Sequence, residues 1–229
     1  RKWSQFGFKP NEIVTPDENL SPQEVREWKY QKYIKDYLAT IKSVDDNIGR
    51  VLAYLKDNGL EENTIVIYAS DQGFFLGEHG FFDKRFMYEE SLKMPFVIRY
   101  PGKIKPGIVV DDIVSNIDFA PTLLDMAGIT IPEQVQGKSF FNNLKGENSE
   151  DWRQSMYYHY YEYPYYHRVQ PHYGIRNKRY KLIHFYYNID VWELYDLKND
   201  PNEMSNLINI EANSELIIEL KKELYKLKE

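Results

Sequence analysis

Residues suited to bind a cation follow an apolar run early in the chain. The β-branched segment 64–69 predicts a strand buried on both faces, as in a parallel sheet, and Asp71 and Gln72 come directly after it. Ligands of open α/β sheets bind beyond the carboxyl ends of the strands. A carboxylate and an amide oxygen suit a hard cation such as Ca²⁺, although an Asp after a strand is often only a helix cap. The spacing therefore predicts half of a calcium site.

The next loop adds residues suited to bind an anion. It contains His79 between Gly77 and Gly80, which favour an irregular backbone, and then Asp83, Lys84 and Arg85. Cationic side chains beside a hard-cation ligand pair indicate an anion held between a metal ion and fixed positive groups. A lone lysine is usually a solvated surface residue, so the interpretation of Lys84 depends on this context.

Composition excludes several classes of protein. The 229 residues are 42% hydrophobic, enough for one core with or without a smaller satellite domain. The formal net charge of −6, without a basic stripe, argues against nucleic acid as a partner. The absence of cysteine excludes disulfides, thiolate zinc sites and a thiol nucleophile within these residues. No apolar run reaches the roughly 20 residues of a membrane-spanning helix.

A long helix is expected before the predicted strand. Residues 21–24, Ser-Pro-Gln-Glu, form an N-terminal capping signature, and Asn58-Gly59 marks a plausible end. A single helix of this length would be unusual, so a break is expected near Tyr30. Residues 1–20 show no periodicity and are expected to be irregular.

The remaining pattern predicts an α/β part followed by a small α+β part. A second strand is expected at 96–100, and Asp118 is expected to cap a helix that stops at Gly128. Composition shifts near residue 146, which predicts domains at 1–146 and 147–229. The second domain is expected to hold an antiparallel sheet and an amphipathic helix from about 212 to 228. Its strands are predicted at 156–163, 173–177, 179–186 and 192–197.

Several motifs together resemble a known family. The segments are Ser-Asp-Gln-Gly at 70–73, Gly-Glu-His-Gly at 77–80, Asp-Lys-Arg-Phe-Met-Tyr-Glu-Glu-Ser at 83–91, and two further stretches at 116–128 and 193–201. They are similar to conserved blocks of the sulfatases, a family of the alkaline-phosphatase-like superfamily. The resemblance covers the chain from about residue 30 to its end. The resemblance implies that the chain holds the C-terminal portion of the α/β sulfatase sheet plus the small α+β subdomain.

The resemblance also implies roles for individual residues. Asp71 and Gln72 match the second pair of ligands for one Ca²⁺ ion, and Lys84 matches the lysine that contacts the sulfate and its bridging oxygen. The family's nucleophile is a formylglycine made from a Cys/Ser-X-Pro-X-Arg motif, which this chain lacks. The formylglycine is therefore expected upstream, and the fragment alone is expected to be inactive without the missing N-terminal portion.

The Asp-Lys-Arg triplet and the aromatic C-terminal part look most like the N-acetylglucosamine-6-sulfatase branch. That likeness implies a sulfated saccharide as substrate, with Asp83, Arg85, His79 and His172 as substrate-binding residues. Two alternatives stay open: Asp83 and Arg85 could form an ion pair that props the loop, and His79 could brace it.

The sequence is also compatible with two other functions. One is a phosphoester hydrolase of the same superfamily, although one Asp-Gln pair without a His-rich set argues against two transition metals. The other is a non-catalytic glycan-binding fragment. Export is expected from the family, to a bacterial periplasm given the lack of cysteine, or to a lysosome if the source is eukaryotic.

Overall fold

The computed structural model describes residues 19–147 and 151–229. They form two compact units, one ending at Glu61 and the other starting at Glu62. The irregular segment expected at 1–20 lies outside the described residues except for its last two. The domain boundary predicted near residue 146 stays a prediction. None of the described helices is both long and apolar enough to cross a membrane.

The first unit contains one long helix, α1, at Pro22–Asp57. Its predicted start is confirmed: Ser21 Oγ accepts from the Glu24 amide at 3.3 Å, and a Glu24 carboxylate oxygen accepts from the Ser21 amide at 2.8 Å. Asn58 caps the other end, as expected. The predicted break near Tyr30 is wrong, because no proline or glycine interrupts the helix before Gly49 and the i to i+4 ladder continues.

The second unit begins with two strands that lead into the candidate site. β1 at Val66–Ala69 pairs antiparallel with β4 at Phe96–Arg99. The expectation of a parallel strand buried on both faces is wrong for the described residues, since Ile67 and Tyr68 are exposed. The connection between the two strands holds a short hairpin, a 3-10 turn at Glu78–Gly80 and one turn of α-helix. It therefore lacks the crossover helix that joins parallel neighbours.

That connection carries most of the predicted site residues. It contains β2 at Phe75–Leu76, β3 at Phe82–Asp83 and a single helical turn, α2, at Glu89–Leu92. β2 and β3 form a two-residue antiparallel pair. The segment is too short to have its own core, so it depends on packing against another part of the unit.

A four-stranded antiparallel sheet provides that support and confirms the predicted C-terminal architecture. Its strands are β5 at Ser155–Tyr160, β6 at His172–Asn177, β7 at Tyr180–Phe185 and β8 at Val191–Asp196, and they pair in that order. The helix α5 at Ser214–Lys228 packs on one face through Leu220 and Leu224. The other face presents Ile183 and Phe185 to Phe75, Met87 and Tyr88 of the site segment.

Two short helices complete the unit, α3 at Phe119–Met126 and α4 at Phe141–Leu144. Asp118 immediately precedes α3, but its side chain does not cap that helix, which corrects the sequence prediction. The fully buried carboxylate instead accepts from the Arg153 guanidinium at 2.6 and 2.7 Å, and from the amides of Ser115 and Lys138 at 2.8 and 2.9 Å. A buried carboxylate is stabilised when a bidentate cation and several amide donors together satisfy both of its oxygens.

Candidate functional site

The two predicted metal ligands lie in a tight turn at the end of β1. Ser70 Oγ donates to the carbonyl of Gln72 at 2.9 Å, and Asp71 is exposed. The Gly73 amide donates to the carbonyl of Ser91 at 2.9 Å, and a Cβ at Gly73 would lie only 2.0 Å from the Glu90 carbonyl oxygen. Glycine is therefore required at this position by the close approach of α2, and this contact fixes the orientation of the turn that carries Asp71 and Gln72.

His79 packs inside the loop and makes its contacts there. Its ring stacks on Tyr88 with centroids 4.6 Å apart, and its side chain is only 12% exposed. Its Nε2 lies 3.5 Å from a buried carboxylate oxygen of Glu90. These contacts favour the bracing role for His79, and the substrate contact stays a prediction.

The Asp83-Lys84-Arg85 triplet has an unusual backbone. Asp83 and Arg85 both have positive φ, 78° and 108°, although neither is glycine. Such conformations are disfavoured and persist only where surrounding contacts enforce them, which occurs most often at functional sites. The Asp83 carboxylate lies 2.5 Å from the Arg85 guanidinium and 3.7 Å from Lys84 Nζ. One carboxylate thus holds both cationic side chains of the triplet near each other.

Arg85 also contacts a residue that sequence reasoning did not assign to the site. Its Nη2 lies 2.7 Å from Nε2 of His167, 82 positions later in the chain. A guanidinium has only donors, so the histidine nitrogen is the acceptor. No local motif marks His167; only its place in an aromatic stretch near other histidines could have indicated it.

His172 lies fully buried close to the triplet. Its Nδ1 donates to the carbonyl of Gln170 at 2.8 Å, and its ring lies 5.9 Å from Phe86 and 5.5 Å from Tyr160. Burial lowers the pKa of His172 to about 4, so the ring is neutral near pH 7. Its Nε2 is buried with no hydrogen-bond partner among the described residues. This nitrogen is shielded from solvent, so the described residues show no path by which a ligand would reach it, and the substrate contact stays a prediction.

Ser91 links the two halves of the candidate site. Its carbonyl binds the Gly73 amide, and its Oγ accepts from the Arg85 amide at 3.0 Å. The turn carrying Asp71 and Gln72 and the triplet carrying Lys84 are therefore both hydrogen-bonded to this one buried serine.

As metal ligands, the residues present form only part of a site. The described ranges contain no group of three or more His, Cys, Asp or Glu side chains that could hold a metal ion. Asp71 and Gln72 offer hard oxygen donors of the right chemistry, but Ca²⁺ takes six to eight oxygens. They fit one edge of a calcium site. A cleft of about 970 Å³ between β4 and the segment 104–116 includes none of the predicted site residues.

Comparison with known families gives two overlapping matches. A family model described as "Sulfatase" matches residues 8–129. A second, described as "N-sulphoglucosamine sulphohydrolase, C-terminal", matches residues 77–229. Together they extend across both halves of the candidate site and the C-terminal sheet.

Individual relatives agree with these models. The chain is 56% identical over 191 residues to an N-acetylglucosamine-6-O-sulfatase of Bacteroides thetaiotaomicron, covering 82% of this chain and 34% of that protein. It therefore spans about a third of that relative's length. A solved structure of a protein in complex with its substrate D-glucosamine-2-N,6-O-disulfate is 52% identical with a TM-score of 0.87, covering 91% of this chain and 42% of the other.

A more distant match acts on a different ester class. A phosphonate monoester hydrolase from Silicibacter pomeroyi is 28% identical with a TM-score of 0.78, covering 96% of this chain and 45% of that one. The same architecture is thus shared with an enzyme whose name describes hydrolysis of phosphonate esters.

Proposed function

This chain belongs to the sulfatase family, and we propose that it contributes one side of the active site of an enzyme that removes the 6-O-sulfate from N-acetylglucosamine. The observation that carries the proposal is the strained Asp83-Lys84-Arg85 triplet, which holds two cationic side chains around one carboxylate beside an oxygen-donor turn. The 56% sequence identity of the chain to an N-acetylglucosamine-6-O-sulfatase supports the choice of sugar.

Lys84 is proposed to stabilise the leaving oxygen. Negative charge accumulates on the bridging oxygen as the S–O bond breaks, and a preorganised ammonium lowers the energy of that state. The side chain is 30% exposed, so it can reach a ligand, while Asp83 at 3.7 Å keeps it oriented.

Asp71 and Gln72 are proposed to hold Ca²⁺ together with oxygen ligands outside this chain. A bound Ca²⁺ supplies positive charge against the sulfate oxygens. The formylglycine nucleophile of the family is likewise proposed to come from the N-terminal portion, which makes that portion an obligatory partner of these residues.

Recognition of the sugar is proposed to involve the residues around Arg85. Asp83 accepts and Arg85 donates, so the pair suits two neighbouring hydroxyls, and His167 orients the guanidinium from the other side. His172 and His79 stay the two other predicted substrate contacts; the first is fully buried and the second is 12% exposed. The proposed substrate is a 6-O-sulfated glucosamine unit of a glycan, hydrolysed after export, in a bacterial periplasm.

The second candidate is a phosphoester hydrolase, favoured by the likeness to a phosphonate monoester hydrolase. The experiment compares release of sulfate from 6-O-sulfated N-acetylglucosamine with hydrolysis of phosphate and phosphonate esters by the intact protein that contains this chain. We expect sulfate release to dominate and the purified protein to contain calcium. Faster phosphoester cleavage together with zinc or manganese would support the alternative.

Variants separate the roles of individual residues. Lys84→Ala should lower kcat by about 10²–10³-fold, the usual effect of removing one group that stabilises a transition-state oxyanion. The matched control is Lys93→Ala, an exposed lysine nine positions later, which should leave kcat unchanged. Equal activity of both variants would contradict the role of Lys84. Asp71→Ala should lower the calcium content of the purified intact protein. The 229-residue chain by itself should release no sulfate.

A further inference from the structure

The backbone of Arg85 is held by groups that no substrate role accounts for. At φ 108°, this residue would relax to a negative φ unless its peptide groups were fixed from outside. Its side chain is already bound by Asp83 and His167, but those contacts orient the guanidinium and not the backbone.

Tyr158 binds the carbonyl of Arg85. The phenol O–H donates to that oxygen at 2.8 Å from β5, 73 positions away in sequence. Burial raises the pKa of Tyr158 to about 12, so the hydroxyl keeps its proton throughout the neutral range. The ring lies on the sheet face that supports the site segment, 5.7 Å from the ring of His172.

Ser91 binds the other side of the same residue. Its Oγ accepts from the Arg85 amide at 3.0 Å, and the serine is buried. The amide and the carbonyl of Arg85 are thus both satisfied by side chains, from α2 and from the sheet. A strained conformation clamped at both peptide groups cannot relax without breaking a buried hydrogen bond.

We propose that Tyr158 and Ser91 are positioning residues that hold Arg85 in its left-handed conformation, so that its guanidinium stays aligned for the sugar. This inference rests on the proposed function for its effect on catalysis. Without the two hydrogen bonds, a guanidinium on a relaxed backbone would point away from Asp83 and His167, and a ligand would have to restore the strain on binding.

The test uses the intact protein with Tyr158→Phe, which removes only the hydroxyl. We expect kcat/KM for the sulfated sugar to fall about tenfold, mostly through KM, because one buried hydrogen bond contributes about that factor. Tyr157→Phe is the matched control. It lies on the same strand, faces the opposite side of the sheet, and binds His159 Nδ1 at 2.8 Å.

A double-mutant cycle distinguishes positioning from a general structural role. In an Arg85→Ala background, Tyr158→Phe and Ser91→Ala should have no further effect on kcat/KM, because the group they position is gone. The same fold loss in both backgrounds would overturn the proposal.

A readout without catalysis separates this inference from the proposed function. Hydrogen–deuterium exchange in peptides covering residues 82–88 should accelerate in Tyr158→Phe and Ser91→Ala, and not in Tyr157→Phe. Unchanged exchange would refute positioning even in an active enzyme. Faster exchange in a protein that releases no sulfate would refute the proposed function and leave the positioning role standing.

Discussion

Lowering the pH should destabilise the protein through His172. Its folded-state pKa of about 4 lies below the ordinary value of 6.5, because burial penalises the charged ring. As the pH falls through 6.5, the unfolded chain takes up the proton first, so the contribution of His172 to stability is present above that value and is lost as the pH falls towards 4. This loss amounts to about 2 kcal/mol between pH 7.5 and 5 and about 3 kcal/mol by pH 4.

Burial outweighs the groups around His172. The backbone of Gln170 and of Arg85 favours the protonated ring and raises its pKa, whereas His159 and burial lower that pKa. Tyr158 and Tyr160 on β5 are neutral phenols with raised pKa values, and Phe86 and Phe185 contribute apolar rings. Glu162 lies beyond Tyr160 and is already bonded to its hydroxyl at 2.8 Å. A protonated His172 would therefore be a buried cation without a carboxylate partner.

The assay is denaturant unfolding of the intact protein at a series of pH values, alongside the variant His172→Asn. Asparagine can donate to the Gln170 carbonyl but does not titrate, so the variant should lose stability at neutral pH through its cavity. Its free energy of unfolding should then vary less between pH 7.5 and 5 than that of the wild type, by about 2 kcal/mol. Parallel pH profiles for the two proteins would refute the reasoning.

Three further substitutions test a buried ion pair, a close backbone approach at the site and the N-terminal cap of α1. Lys181→Met removes a fully buried cation 2.9 Å from Glu89 and 2.7 Å from Glu203, and unfolding experiments should show a loss of about 3–5 kcal/mol. Unchanged stability would contradict the paired-charge account. Gly73→Ala should lower the free energy of unfolding by about 1–3 kcal/mol, because the added methyl group would clash with the Glu90 carbonyl, and calcium titration should show weaker binding. A stable variant with unchanged calcium affinity would show that the close approach of α2 to Gly73 does not position the turn. Ser21→Ala should lower stability by about 1 kcal/mol through loss of the helix cap, and a smaller shift in thermal unfolding would show that the capping box contributes little.

The sequence alone determined the features that depend on near neighbours. The ends of α1 follow from Ser21, Glu24 and Asn58, whose capping contacts span at most four residues. The antiparallel C-terminal sheet follows from aromatic runs separated by turns, and α5 follows from its leucine spacing. The site motifs were also local, because Asp71, Gln72 and the triplet occur within 15 positions.

Only the tertiary structure decided how these pieces meet. The contact between Arg85 and His167, the clamp by Tyr158 and the buried position of His172 join segments 70 or more positions apart. The exposure of β1 and its antiparallel pairing also depend on which strand lies beside it, and not on its own apolar residues. Hydrophobic patterns and capping residues determine structure over one helical turn or one pleat of a strand, so they can be read from the sequence. Burial and backbone strain arise only where distant segments pack together and exclude water.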